Sequence, residues 1–467
     1  MELNYIGGAG AGIEQAGAAL GTILPAWSVL PFAGMLLSIA LFPLFAPHFW
    51  HRHYPKISLA WGLVVAVPFL ATYRATGWHE LLGVTVKDYL PFVTLLWGLF
   101  TVSGGIVLRS GSLAATPATN ALMLLVGTLS ASWIGTTGAA MLLIRPVLRV
   151  NAGRRHVAHI VIFFIFLVGN AGGCLTPLGD PPLLLGFLHG VPFLWTFRLL
   201  PELAFLTAAL LAVFFVVDRH FCRKEAAPGV PPPAPAAGGK VRIAGAHNLA
   251  FLAGIFGAVV VSSFLRTGGV ELLGVPLSAG DLLREAGIGL MGVLSLATTS
   301  RSLREENRFS WEPIREVAIL FAAIFVTMIP ALAMLRAGER GPLAFLLRAV
   351  DTPVQYFWAV GGLSSFLDNA PTYLSFFTLA LGRIYPGLPE TASVPRLLAE
   401  HGAVLRAISA GAVFMGANTY IGNAPNLMIK AIAEEAGIVM PTFLGYMFRW
   451  SIPILIPLFL LVGWIFH

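Results

Sequence analysis

Charge is what this chain of 467 residues has least of: Asp, Glu, Lys and Arg make up 11% of it, against 57% hydrophobic residues and a mean hydropathy of +0.81. So few charges cannot cover the surface of a water-soluble domain of this length, which leaves a polytopic membrane protein. Cysteine is scarce too. Cys174 and Cys222 are the only two, which excludes a disulfide framework and any metal-binding cysteine spacing. There is no Walker A loop, no HExxH, no GxSxG and no haem-attachment CxxCH. ATP-driven pumping by this chain has no sequence support, and we expect neither an enzyme nor a resident cofactor. Residues 1–21 lack a basic start followed by a compact apolar core, so no cleavable signal is expected. No basic stripe with interleaved aromatics points to nucleic acid, and the net charge of +7 suits basic loops facing anionic lipid.

What the chain has is apolar runs of spanning length, some of them broken. After an N-terminal extension, 1–23, a first half covers 24–218. Its runs are 24–45, 57–73 and 86–108, an interrupted stretch at 118–149, a broken one at 157–189, and 196–217. A Pro/Ala/Gly-rich piece (PGVPPPAPAAGG) marks a cytoplasmic linker, 219–247, that cannot pack a core. The same six elements then return within 248–467: 249–265, 283–298, 315–335, an interrupted 353–384, a broken 404–433, and 443–466.

The break in the first half reads Gly169-Asn170-Ala171-Gly172-Gly173-Cys174-Leu175-Thr176-Pro177-Leu178-Gly179-Asp180-Pro181-Pro182. Proline removes backbone donors and glycine weakens helices, so the helix opens here. Open backbone at membrane depth is tolerated only inside protein or beside a water-filled cavity. The second break runs from Gly416 to Asn426, and a shift of 243 positions places Gly416 on Gly173, Thr419 on Thr176, Gly422 on Gly179, Asn423 on Asp180 and Pro425 on Pro182. Each interrupted stretch, split by Gly135-Thr136-Thr137-Gly138 or by Phe366-Leu367-Asp368-Asn369-Ala370-Pro371-Thr372, reads as a re-entrant helical hairpin. Each half then crosses the membrane five times. Five is odd, so the second half is inverted relative to the first, an arrangement common in secondary transporters. More than half of the 29 Lys and Arg fall on one side, concentrated at 145–155, in the linker and at 301–315. By the positive-inside rule that side is cytoplasmic and both termini are extracytoplasmic, in a bacterial-type inner membrane.

The polar interruptions are the candidate site. Half-helices aim positive N-terminal ends at anions, and their freed carbonyls suit hard cations. Oxygen ligands come from Ser130, Ser132, Thr136 and Thr137 at the first tip and from Ser364, Ser365, Asn369 and Thr372 at the second. In the breaks, Thr176 and Thr419 join them, while Asn170, Asn418, Asn423 and Asn426 are equally suited to ligating an ion or satisfying opened backbone. Asp180 and Asp368 are the sharper signal, since an aspartate at mid-span costs roughly 2.5–3.5 kcal/mol. A proton and Na⁺ can compete for such a carboxylate, although Asp180 before Pro181 also has the pattern of a helix cap. Asp88, Glu202 and Asp218 fall near span ends and read as solvated or interfacial, and His156 and His159 as surface residues. The run Val161–Leu167 reads as lipid-facing or packing surface.

Asn170-Ala171-Gly172-Gly173 with Thr176-Pro177-Leu178-Gly179-Asp180 resembles the broken-helix signature of NhaD-type Na⁺/H⁺ antiporters. Ser365-Phe366-Leu367-Asp368-Asn369-Ala370-Pro371-Thr372 is similar to the hairpin tip of antiporters and arsenite carriers. Both belong to the ion transporter superfamily, which also holds citrate carriers and divalent anion:Na⁺ symporters, and the likeness covers nearly the whole chain. It implies a scaffold part and a mobile part that slides as an elevator, often in a homodimer. The Ser-Asn-Thr tips usual in carboxylate symporters are absent, and no arginine lies in a tip or break; Arg145 is the nearest. The expectation is therefore an all-α secondary transporter exchanging Na⁺ or Li⁺ for protons at Asp180 and Asp368. A Na⁺- or H⁺-coupled citrate or dicarboxylate carrier is the alternative.

Overall fold

In the computed structural model, residues 20–109, 113–225, 242–265 and 268–467 are described. Most of linker 219–247 and nearly all of extension 1–23 thus lie outside the described residues. Helices dominate because the apolar runs are rich in Leu, Ala, Phe and Ile and must satisfy their backbone internally in lipid. Among the described residues, seven helical stretches are long and apolar enough to cross a membrane, or eight if one bent pair counts as a span. The chain is thus an all-α polytopic membrane protein.

The first half begins with α1 (Leu30–Phe45), α2 (Pro47–Val84) and α3 (Leu90–Ser103). The runs at 57–73 and 86–108 are not separated by an open loop. Helix α2 continues to Val84 through a sharp kink at Arg74 (φ 41°), and a π-turn, Thr85–Tyr89, joins it to α3. The first hairpin is α4 (Pro117–Ile134) and α5 (Thr136–Val150), and Gly135 alone makes its tip. Gly135 sits at φ 79°, which a side chain would strain, so glycine is what lets two helices meet head to tail across one residue. The first broken helix is α6 (Ala158–Leu167) and α7 (Pro181–Leu188), and α8 (Leu200–Glu225) closes the half. Helix α8 takes in the first seven residues of the linker read from composition, 219–225.

The second half holds α9 (His247–Ser262), α10 (Ala279–Thr298), α11 (Arg301–Glu306) and α12 (Glu312–Arg336), then the single turn α13 (Ala344–Leu347). Its hairpin is α14 (Pro353–Ser364) and α15 (Asn369–Ile384). An amphipathic helix that hydropathy does not flag, α16 (Glu390–Glu400), meets the next helix at 95°. Its broken helix is α17 (Gly402–Met415) and α18 (Ala424–Glu435), followed by α19 (Phe443–Tyr446) and α20 (Ile452–Phe466). Two short antiparallel ladders depart from the all-helical reading. In one, β1 (Val107–Arg109) pairs with β2 (Arg242–Ala244) from inside the linker; in the other, β3 (Gly269–Leu272) pairs with β4 (Val275–Ser278).

The helices sort into two bundles by packing. In the first, α12 packs on α1 and α2, and α3 on α9 and α10. In the second, α4 packs on α5 and α8, α17 on α14 and α15, α15 on α7, and α18 on α5. Contacts of α12 with α15 and of α3 with α5 join the two. The buried core runs through both bundles, and in the second Ile160–Val168 are at most 1% exposed. Val161–Leu167 is therefore packing surface, with no lipid-facing side.

Candidate functional site

Four half-helices begin at one place. Thr136 is the first residue of α5 and Asn369 the first of α15; Asp180 and Asn423 cap the starts of α7 and α18. The Asp180 carboxylate, 1% exposed, is where they meet. Its Oδ1 accepts hydrogen bonds from Thr136 Oγ1 at 2.9 Å and Asn423 Nδ2 at 3.1 Å, and its Oδ2 accepts one from Asn369 Nδ2 at 2.6 Å. One carboxylate thus holds both hairpin tips and the second break. Each helix start also contributes a positive dipole end, equivalent to about +0.5 charge. Asp180 is the acidic group set among them.

The peptide donors that usually accompany such ends are thinned out. Pro181 and Pro182 open α7, Pro425 is the second residue of α18 and Pro371 the third of α15, so four of the N–H groups that would reach forward are missing. In α5 the Thr136 amide is spent on Gly179 O at 2.8 Å. That bond needs the break to lie close. A Cβ at Gly179 would stand 2.1 Å from Gly173 O, so only glycine fits.

The two breaks share backbone geometry. Asp180 lies at φ −148°, ψ 144° and Asn423 at φ −150°, ψ 139°; Thr176 lies at φ −138°, ψ 158° and Thr419 at φ −137°, ψ 168°. Their wiring to the tips matches as well. Thr176 Oγ1 donates to Ser132 O, and Thr419 Oγ1 donates to Ser365 O at 2.5 Å. Ser132 Oγ donates to Gly172 O, and Ser365 Oγ to Met415 O at 3.3 Å. Leu178 N and Ile421 N each donate to the threonine hydroxyl of their own break at 3.2 Å. These Ser and Thr hydroxyls are occupied in holding each tip to its break.

The other candidates fall into three places. Asn170 Nδ2 donates to Asn426 Oδ1 at 2.8 Å, and Asn426 Nδ2 to Gly416 O and Thr419 O at 2.9 Å, which ties one break to the other. Asn170 Oδ1, Asn369 Oδ1 and Asn418 Oδ1 are buried acceptors with no hydrogen-bond partner among the described residues. Asp368 does not touch Asp180. It caps α15, its Oδ1 accepting from Ala370 N at 3.1 Å, and it borders the same cavity. Thr137 also lines that cavity. Ser364 Oγ donates to Ala412 O at 2.7 Å, Thr372 Oγ1 to Asp368 O at 2.9 Å, and Ser130 Oγ to Val126 O at 2.7 Å on an exposed face away from the site. The cavity, of about 850 Å³, runs from Thr136, Asp180, Asp368 and Asn423 to Glu312 and Lys430 at its far end. Among the described residues no group of three His, Cys, Asp or Glu forms a metal site.

Several charged residues that read as interfacial are buried and paired. Asp218 Oδ1 receives Arg154 Nη1 at 2.5 Å and contacts His159 Nε2 at 2.9 Å, while Asn120 Nδ2 donates to Oδ2 at 3.0 Å. His159 is thus no surface residue, whereas His156 stays partly exposed against Glu225. Glu202 is fully buried beside Arg406, and Asp88 is buried beside His189. Asp88 and Asp218 close networks whose partners lie far along the chain, and spacing carries no signal for them. In 154–159 the Arg and His spacing could have hinted at a shared carboxylate.

A search of curated proteins finds no match. The profile of a family described as "Putative citrate transport" matches residues 21–467, nearly the whole chain. The chain belongs to that family, and with it to the membrane transporters of the citrate-carrier type.

Proposed function

We propose that the protein carries a citrate-class carboxylate by alternating access, driven by a cation gradient acting through Asp180. The observation that carries this reading is the convergence of four helix N-termini on one buried carboxylate. While Asp180 is ionised its charge offsets those ends, and a second anion would be repelled. A proton or Na⁺ bound there neutralises it. The positive ends are then uncompensated and a carboxylate can enter. Coupling follows because the anion site exists only in the cation-loaded form. The family match supports the anion, and the unpartnered amide oxygens of Asn170 and Asn369 support a cation beside Asp180.

A second reading, Na⁺ or Li⁺ exchanged for protons at Asp180 with Asp368 as an accessory carboxylate, draws on a specific feature. No basic side chain among the described residues bonds Asp180, and the four prolines remove amides that would grip an anion directly. Both readings use the same moving parts. The matched backbones of the breaks support two inverted repeats, and the two bundles support an elevator in which the second slides along the first. The distribution of Lys and Arg supports a cytoplasmic Glu312–Lys430 end of the cavity, and with it an inward-facing state. A homodimer in a bacterial-type inner membrane completes the proposal.

Reconstituted protein decides between the readings. Citrate accumulation in proteoliposomes that requires an imposed Na⁺ or proton gradient is the expected result. Na⁺-driven proton movement without any citrate uptake would sink the carboxylate reading in favour of antiport.

A further inference from the structure

At the opposite end of the second bundle from the cavity mouth lies a chain of four charged side chains that the site does not use. His189, just after α7, has Nδ1 at 2.7 Å from Glu390 Oε2 and Nε2 at 3.3 Å from Asp88 Oδ1. Glu390, at the start of α16, accepts through Oε1 from Arg336 Nη2 at 2.9 Å. The order is Asp88, His189, Glu390, Arg336, with alternating sign. An imidazole with a carboxylate at each ring nitrogen needs a proton on both, because a neutral tautomer would turn a lone pair toward one of them. His189 is therefore the cation of the chain, and the Glu80 carboxyl lies within electrostatic reach of Asp88, Glu390 and Arg336.

The membership of the four residues is what gives the chain a role. Asp88 lies in the π-turn between α2 and α3, and Arg336 ends α12; both are in the first bundle. His189 and Glu390 extend the helices of the second bundle, after α7 and between α15 and α17. Both outer links, Asp88 to His189 and Arg336 to Glu390, therefore cross from one bundle to the other. All four side chains are at most 25% exposed, so the pairs are shielded from water and salt. Among the described residues, only one further ion pair links the same two bundles near the cavity mouth, Arg308 to Glu435, and it is exposed on both sides. The protein is pinned where the cavity is closed and loosely held where it is open.

We infer that Asp88, His189, Glu390 and Arg336 form an extracytoplasmic latch that holds the inward-facing state and must part for the site to face outward. This rests on the alternating-access reading and on the orientation given above, but not on the identity of the cargo. The test needs no substrate. A reporter thiol is placed at the cavity wall (T137C, in a C222S background), and its labelling by a membrane-impermeant thiol reagent is measured in right-side-out and everted vesicles. With the latch intact, labelling comes from the cytoplasmic side. Loss of one charged hydrogen bond shifts such a balance by about tenfold or more. H189Q and R336Q should each move labelling toward the outer side by that factor and D88N, which loses the Asp88–His189 ion pair, in the same direction, while H189R, which keeps the charge, should not. If any one of these uncharged variants reaches the membrane in normal amount and leaves the ratio of the two sides unchanged, the latch is refuted. A variant that does not accumulate is replaced by the next along the chain, E390Q. Failure of citrate uptake with an intact labelling shift would count against the cargo and not the latch.

Discussion

The two breaks have the same skeleton and different chemistry. Backbone angles agree to within about ten degrees at Thr176 and Thr419 and at Asp180 and Asn423, and the same hydroxyls bind each tip to its break. Yet one break presents a carboxylate where the other presents an amide. The tips differ in the reverse sense: the first turns on Gly135, with nothing to ionise, and the second on Asp368. A repeated scaffold therefore supplies positions, and single side chains decide what each position does. Asp180 is bonded by three donors and buried among helix starts, so it can couple an ion to the fold. Asp368 spends its carboxylate on capping its own helix.

The sharpest way to break the comparison is to exchange the unlike pair. D180N should abolish cation-dependent uptake, and D180N with N423D should not restore it. Asn423 Nδ2 also donates to Gly169 O at 3.1 Å, and a carboxylate placed there would face that carbonyl with no proton to offer. Recovery of more than about a tenth of the wild-type rate in the double variant would show that the breaks are interchangeable. A smaller effect tests whether the tips are equivalent. T136V and N369L each remove one hydrogen bond to a charged group, worth about 1.5–3 kcal/mol. Denaturation in detergent should show losses of that size for both, and a loss with only one would mean that Asp180 belongs to a single hairpin. The smallest effect separates the two turning residues. G135A forces a side chain into left-handed backbone at a cost of about 1–2 kcal/mol, whereas D368A removes a helix cap worth about 1 kcal/mol. A melting-temperature series should rank them in that order.

Much of the site can be read along the chain because breaking a helix is a local act. Gly172, Gly173, Pro177 and the Pro181-Pro182 pair announce the first break within fourteen residues, and Asp368-Asn369-Ala370-Pro371 announces the second tip. The partners of Asp180, by contrast, are not written near it in the chain. Asp180 takes its donors from Thr136, 44 residues away, from Asn369, 189 away, and from Asn423, 243 away. Asp218 read as interfacial because it lies near a span end, yet Arg154, His159 and Asn120 close around it. Position along a helix indicates depth in the bilayer, not which neighbours fill the space beside a side chain.

By itself the sequence determined that this protein lives in a membrane, where its helices must open, and which side chains stand at the openings. Those properties depend on hydropathy and backbone freedom, which each short stretch carries within itself. Only the tertiary structure decided that four helix starts share one carboxylate, that Asp368 stands aside as a cap, and that Asp88, His189, Glu390 and Arg336 bridge two bundles. The reason is physical: a buried charge is stabilised by whichever donors packing brings within about 3 Å, and packing joins residues that the chain keeps far apart.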